Sequence, residues 1–176
     1  MLRYLLFTDI SLSPQKKHSV GGYLFIEAHE LSAWESLEPQ QISAILYPRI
    51  EWRVFQNNKS TFAEITTMIY AVEQCLEKNP QQITIYTDCQ SLVDLLDSRL
   101  AKLSAAEYRT RSGKILANAE VYKDLLALTK KIDLVAIKIK GHASQSQRTT
   151  IEAKIFAILD AAVRKRLRLD LENLDL

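Results

Sequence analysis

Four acidic residues stand where carboxylates would be expected to do chemistry rather than to keep the chain soluble. Asp9 interrupts an otherwise apolar run, and an acid there is costly unless it is paired or bound to a cation. Asp88 directly follows a β-rich run at residues 83–87. Glu64 falls in the first turn of a predicted helix and Asp160 in the last predicted helix, so both become candidates chiefly through their order with the other two acids.

Carboxylates that are held close together repel one another, and a divalent cation relieves that repulsion. Ligand sets made only of oxygen favour Mg²⁺, Ca²⁺ or Mn²⁺ over Zn²⁺. A pair of such ions can support in-line cleavage of a phosphodiester, because one activates the attacking water and the other steadies the leaving oxygen. The acids therefore predict a site for hard divalent cations, with Mg²⁺ and Mn²⁺ among the candidates.

Hydrophobic periodicity supplies the elements that would position these acids. It predicts three antiparallel strands, then a helix, a fourth strand, further helices, a fifth strand and a last helix. Ser60 or Thr61 is the expected N-cap of the first long helix. The strands are predicted at residues 3–10, 21–28, 49–56, 83–87 and 134–139, and the main helices at 60–79, 91–96, 118–130 and 150–168.

This order of elements is typical of one α/β domain built on a mixed five-stranded sheet that is flanked by helices. We predict that the domain covers residues 1–170 and that residues 171–176 form a C-terminal tail. The first and fourth strands can lie side by side in such a sheet. Both Thr-Asp strings, at Asp9 and Asp88, would then point to the same edge.

Composition limits the class of protein without identifying it. The chain has 176 residues, of which 47% are hydrophobic, and its formal net charge of +2 is too small to indicate nucleic-acid binding by itself. No apolar run is long enough to cross a bilayer, and neither Cys75 nor Cys89 has the spacing of a zinc ligand. We therefore expect a cytoplasmic protein with reduced thiols and no membrane partner, and we predict a monomer.

The order of several short strings resembles the ribonuclease H family, in particular its type 1-like members, over nearly the whole chain. The strings are Thr-Asp-Ile-Ser at residues 8–11, Ala-Glu at 63–64, Thr-Asp-Cys-Gln at 87–90, Lys-Gly-His-Ala at 140–143 and a late helical acid at 160. The resemblance implies the ribonuclease H-like fold. It also implies an endonuclease that hydrolyses the RNA strand of an RNA–DNA hybrid.

The resemblance assigns roles to the acids and to one histidine. It implies two magnesium ions, which would be held by Asp9, Glu64, Asp88 and Asp160. It gives His142 the role of a mobile histidine that assists proton transfer or product release. The interval between His142 and Asp160 is longer than in the family pattern, so Glu152 stays open as an alternative fourth ligand.

The resemblance also assigns contacts with nucleic acid. The basic segment Arg99–Lys114 corresponds in place to the family's basic protrusion, which grips the DNA strand, and its Tyr108 is a candidate for stacking. Asn118 either contacts the substrate or caps the following helix. The predicted nucleic-acid-binding residues are Ser11, Gln90, Arg109, Arg111, Lys114 and Asn118.

Two other functions stay open at this point. One is a nuclease of the same fold that acts on another nucleic acid, because a fold does not determine its substrate. The other is a catalytically inactive nucleic-acid-binding module, whose mark would be a missing acid. All four acids are present, and this favours an enzyme.

Overall fold

The structure of the protein is a computed structural model, and it describes residues 3–56, 59–142 and 144–174. Three parts of the sequence lie outside the described residues. They are the break between the third strand and the next helix at Asn57 and Asn58, Ala143 of the Lys-Gly-His-Ala string, and the last two residues of the predicted tail.

Five strands form a single mixed sheet, as predicted. They are β1 (Arg3–Ser13), β2 (His18–Glu27), β3 (Glu51–Gln56), β4 (Gln82–Thr87) and β5 (Asp133–Lys138). Their order across the sheet is β3-β2-β1-β4-β5. The β1–β2 and β2–β3 pairs are antiparallel, whereas the β1–β4 and β4–β5 pairs are parallel.

Helices connect the strands and cover the sheet. They are α1 (Leu31–Trp34), α2 (Pro39–Leu46), α3 (Ser60–Leu76), α4 (Gln90–Asp94), α5 (Leu100–Ala105), α6 (Ala119–Thr129) and α7 (Ile151–Leu174). A π-helical stretch, Leu95–Arg99, joins α4 to α5. None of the helices in the described ranges is long and apolar enough to span a membrane.

The sheet separates two apolar layers. On one face, Leu6 and Ile85 pack in a cluster with buried residues of α3 and α6. On the other face, Phe7 and Leu24 pack in a second cluster with α2 and α7. Because β1 is covered on both sides, residues 4–9 are all buried, which explains why this strand is a continuous apolar run rather than an alternating one.

The β1–β2 hairpin is longer than the sequence predicts. The ladder continues to the pair Ser13–His18, so the chain turns only at residues 14–17, where a loop over residues 11–19 was expected. Backbone hydrogen bonds hold the far end of this hairpin, and the polar side chains in this part of the sequence do not reveal that the backbone is paired. The prediction failed because hydrophobic periodicity detects burial and not pairing.

Two helix boundaries also differ from the prediction. α3 begins with Ser60 itself, and the capping position belongs to Lys59 without any side-chain hydrogen bond to the helix, so the predicted N-cap is wrong. α7 continues to Leu174, past the predicted end at residue 168 and into the predicted tail. Arg166 and Asp170 form an ion pair one turn apart, with 2.8 Å between Nε and Oδ1, which favours this continuation.

Candidate active site

Asp9 and Asp88 meet at one edge of the sheet because β1 and β4 run parallel. The ladder pairs Phe7 with Tyr86, so each aspartate lies two residues beyond the same rung. Phe7 and Tyr86 stack with their ring centroids 4.9 Å apart, which fixes the two strands against each other just before the acids. This is the juxtaposition that the sequence predicts for the two Thr-Asp strings.

A cavity of about 270 Å³ opens at this edge and collects all four predicted acids together with the predicted histidine. The acids come from four different elements or their ends, namely β1, α3, the residue after β4, and α7. The lining residues are Asp9, Ile10, Ser11, Leu12, Ser60, Glu64, Asp88, His142, Asp160 and Arg164.

Glu64 is buried in the first turns of α3, with 7% of its surface exposed. Its Oε2 has no hydrogen-bond partner among the described residues. Burial raises the pKa of Glu64 well above its usual range, and the charges of Asp9 and Asp88 raise it further. A buried carboxylate oxygen without a partner is a group that a cation would satisfy.

Asp9 and Asp88 are subject to the same two effects. Burial is the main cause that raises the pKa of Asp9 well above its ordinary value, and the charges of Asp88 and Asp160 raise it further. Burial also raises the pKa of Asp88, followed by the charge of Asp160, while the nearby His142 opposes the shift. Desolvation and mutual repulsion therefore disfavour the charged form of three neighbouring carboxyl groups.

Asp160 lies on α7 and is buried, with its side chain 7% exposed. Its Oδ2 lies 2.9 Å from Nη2 of Arg164 and 3.4 Å from Nδ1 of His142. Glu152, the alternative fourth ligand, is partly buried and does not line the cavity. Its charge acts instead on Tyr86, whose pKa is raised mainly by burial and then by Glu152. The choice of Asp160 as a ligand stays a prediction, and its location favours it.

Gly141 and His142 lie in the first part of the β5–α7 connection, where the chain passes close to Asp88 and Asp160. The side chain of His142 is 68% exposed, and its backbone is left-handed with φ of 49°. Gly141 packs so closely that an added Cβ would stand 2.0 Å from Oδ2 of Asp88. The Lys-Gly-His string therefore uses glycine to let the backbone approach the acid.

The arrangement offers ligands for a metal without a closed ligand set. Within the described ranges, no group of three or more His, Cys, Asp or Glu side chains stands ready to hold a metal ion. The donor chemistry nevertheless fits a hard divalent cation, because four carboxyl groups line the cavity. A bound cation would stabilise the charged forms of Asp9 and Glu64, whose pKa values are raised, and would also give the unpartnered Oε2 of Glu64 a partner.

The predicted nucleic-acid-binding residues fall into two groups. Ser11 lines the cavity. Gln90, two residues after Asp88 in sequence, is exposed and donates to Oδ1 of Asp94 at 2.7 Å. Arg109, Arg111 and Lys114 are exposed on the turn that follows α5, where Arg109 donates to the carbonyl of Gly113 at 2.8 Å. Asn118 occupies the N-cap position of α6, but its side chain makes no capping hydrogen bond.

Two residues differ from what the sequence suggests. Tyr108 was a candidate for stacking on the substrate, but it is only 8% exposed and Lys123 lies over its ring at 5.8 Å. Arg164 was not among the residues predicted for the site, yet it contacts Asp160 directly. The spacing of Asp160 and Arg164, four residues apart on one helix, was a signal that could have predicted this pair.

The raised pKa values predict how stability depends on pH when no metal is bound. A carboxyl whose pKa is higher in the folded than in the unfolded state stabilises the fold below its unfolded pKa, and loses that contribution as the pH rises through its folded pKa. In EDTA, we expect thermal stability to fall as the pH rises from about 4, the ordinary pKa of these carboxyl groups, through their raised pKa in the folded protein. The Asp88→Asn protein should fall less over this range, as measured by circular dichroism. An Asp124→Asn control, at an exposed site, should follow the wild type, and equal slopes for all three proteins would contradict the prediction.

Substitution of Gly141 tests its close approach to Asp88. In Gly141→Ala, the new Cβ must displace either the carboxylate or the connection that carries His142, since the gap is 2.0 Å. We expect cleavage of nucleic acid to fall by about 10- to 100-fold, because small misplacements of catalytic groups are costly. Asp124→Asn, at an exposed site on α6, serves as the control and should keep the activity of the wild type. Full activity in Gly141→Ala would show that Asp88 is not held by this contact.

Comparisons with known proteins agree with this fold. The family model described as RNase H matches residues 2–153, which is most of the chain. The ribonuclease H of Zymomonas mobilis is 35% identical over 80 residues, a stretch that covers 46% of this chain and 50% of that protein. The chain thus matches about half the length of this curated relative.

Solved structures share the fold at low sequence identity. The protease-reverse transcriptase of prototype foamy virus is similar with a TM-score of 0.66 and 17% identity, over 93% of this chain and 20% of that one. LC11-RNase H1, crystallised with an RNA/DNA hybrid, is similar with a TM-score of 0.54 and 12% identity, over 93% of this chain and 99% of that one. At such identities the likeness shows the fold alone. With the family match over residues 2–153, the chain belongs to the ribonuclease H family.

Proposed function

We propose that this protein is a metal-dependent endonuclease that hydrolyses the RNA strand of RNA–DNA hybrids. Two divalent ions, with Mg²⁺ as the natural metal, would be held by Asp9, Glu64, Asp88 and Asp160. The observation that carries the proposal is the convergence of these four acids in one cavity at the edge of the sheet. Such a cluster is electrostatically unfavourable without cations, and in a metal-dependent enzyme it would serve as the ligand set for the catalytic ions.

The chain's own residues would divide the work as follows. Bound divalent ions would supply an activated water and stabilise the charge on the leaving oxygen. The four carboxylates would hold those ions, and Asp160 would also orient His142, whose Nδ1 lies 3.4 Å from Oδ2. The exposed imidazole of His142 can then carry a proton to or from the reacting phosphate at the mouth of the cavity.

Binding of the hybrid would use residues at the cavity together with an exposed basic turn. Ser11 lines the cavity itself, and Gln90 follows Asp88 at its edge, so both can contact the strand that is cut. The exposed cations Arg109, Arg111 and Lys114 can bind the phosphates of the other strand. Similar structures include the foamy viral protease-reverse transcriptase in complex with an RNA/DNA hybrid, which supports the choice of substrate.

A cleavage assay tests the proposal directly. End-labelled RNA–DNA hybrid, double-stranded RNA, double-stranded DNA and both single strands are incubated with the protein and Mg²⁺, and the products are resolved by electrophoresis. We expect cuts within the RNA of the hybrid, leaving 3′-hydroxyl and 5′-phosphate ends. We expect none after addition of EDTA or in the Asp9→Asn, Asp88→Asn double variant.

Each other outcome leads to a different function. Preferred cleavage of double-stranded DNA or of single strands would replace the hybrid with another substrate while keeping the metal site. Activity that survives the double substitution would refute the carboxylate cluster as the catalytic centre. Hybrid binding without any cleavage in Mg²⁺ or Mn²⁺ would indicate an inactive binding module.

A further inference from the structure

Arg164 lines the cavity and contacts a carboxylate oxygen of Asp160, one of the proposed metal ligands. Its Nη2 is 2.9 Å from Oδ2 of Asp160, and the two side chains are 47% and 7% exposed, respectively. His142 approaches the same oxygen at 3.4 Å. The carboxylate oxygen that faces these two groups is therefore bound to the protein's own cation when no metal is present.

The charge balance of the cavity gives this contact its significance. Four acids line the cavity, and among the described residues that line it Arg164 is the one arginine or lysine. A guanidinium keeps its charge under all ordinary conditions, and its planar fork suits a carboxylate. Arg164 therefore offsets part of the repulsion between the acids in the metal-free protein.

We propose that Arg164 is an internal counter-ion that competes with metal for Asp160 and is displaced when a divalent cation binds. The inference rests on the proposed function, because it takes Asp160 as a metal ligand. Arg164 acts through Asp160 and is thus a positioning residue rather than a catalytic one. Its contact holds the carboxylate of Asp160 at the cavity until a metal binds.

Displacement is physically easy at this position. Arg164 and Asp160 are four residues apart on α7, and almost half of the arginine side chain is exposed, so the guanidinium can swing into water without disturbing the core. Water can therefore replace Asp160 as the partner of the half-exposed guanidinium. A divalent ion carries twice the charge and can contact several of the acids at once, so it wins the competition at sufficient concentration.

The same helix offers a matched control. Arg166 pairs with Asp170 at the same spacing, at 2.8 Å, and its side chain is 43% exposed. Neither residue lines the cavity. Replacing Arg166 therefore removes the same charge and the same type of helix pair as replacing Arg164, and leaves the proposed ligands untouched.

The test measures metal binding rather than cleavage. The full chain without nucleic acid is titrated with Mn²⁺, and free Mn²⁺ is followed by electron paramagnetic resonance. We expect Arg164→Met to bind Mn²⁺ about five- to tenfold more tightly than the wild type, because a competitor is gone. Arg164→Lys, which keeps the charge but loses the planar fork, should fall between the two, and Arg166→Met should match the wild type.

The outcomes separate this inference from the proposed function. Equal or weaker Mn²⁺ binding by Arg164→Met would overturn the competition, and circular dichroism checks that the variant is folded. Should Arg164→Met fail to fold, Arg164→Lys decides, and an affinity no tighter than that of the wild type overturns the inference. Binding that is unchanged in the Asp9→Asn, Asp88→Asn double variant would instead refute the metal site itself.

Discussion

Asp88→Asn is expected to slow cleavage of an RNA–DNA hybrid by at least about 10³-fold, equivalent to about 4 kcal/mol of lost transition-state stabilisation. The substitution removes a negatively charged oxygen from the cavity and keeps the shape of the side chain. The same change should raise the free energy of unfolding without metal, because the charge of Asp88 adds to the raised pKa values of Asp9 and Glu64. Single-turnover cleavage and urea denaturation measure the two effects.

Loss of activity together with a gain in stability distinguishes a functional acid from a structural one. A structural aspartate would lower both when replaced. Asp160→Asn and Glu152→Gln extend the comparison to the fourth ligand. We expect the larger loss of activity from Asp160→Asn, because Asp160 lines the cavity and Glu152 does not. A larger loss from Glu152→Gln would exchange the two residues, and near-normal activity in Asp88→Asn would contradict the metal site.

Phe7→Ala is expected to lower the free energy of unfolding by about 3–5 kcal/mol, the range for removal of a buried aromatic side chain. Phe7 is fully buried in the layer between the sheet and α7, and it stacks on Tyr86 at the rung two residues before the acids. The cavity left by the ring should also loosen the spacing of Asp9 and Asp88. Urea denaturation measures the loss, and hybrid cleavage at low temperature reports any effect on the site.

Val54→Ala is the control for this substitution. Val54 lies on the edge strand β3 with 49% of its surface exposed, so its replacement should change the free energy of unfolding by no more than about 0.5 kcal/mol. Similar losses in Phe7→Ala and Val54→Ala would show that the layer beneath Asp9 is not tightly packed. Unchanged activity of folded Phe7→Ala would show that the ring stabilises the fold without positioning the acids.

The sheet and the pairing of Asp9 with Asp88 could be predicted because both follow from local patterns. A buried strand interrupted by an acid is conspicuous, and two neighbouring parallel strands that each lead into a Thr-Asp string bring those strings together. Glu64 was predictable only through its place between the two. Its burial and unpartnered Oε2 are tertiary features that the first turn of a helix does not reveal.

The remaining features depend on contacts between residues that are distant in sequence. The choice between Asp160 and Glu152 depends on how α7 lies over the sheet, and both are acids on the same helix. The burial of Tyr108 depends on α6, from which Lys123 reaches over its ring. Gly141 gave no hint of its contact with Asp88, because a glycine in a loop is usually a feature of the turn rather than of a neighbour.

The wide separation of the four acids along the chain has a consequence for how activity arises. The cavity needs β1 near the start of the described chain and α7 near its end, and β1 must pair with β4, which lies more than seventy residues later. Pairing between such distant segments forms slowly, since loop closure precedes any gain from contact. A ribosome-bound or proteolysed fragment that ends before α7 lacks Asp160 and Arg164. Such fragments are therefore expected to be harmless to nucleic acid, and cleavage should begin only when the last helix has been synthesised and has docked.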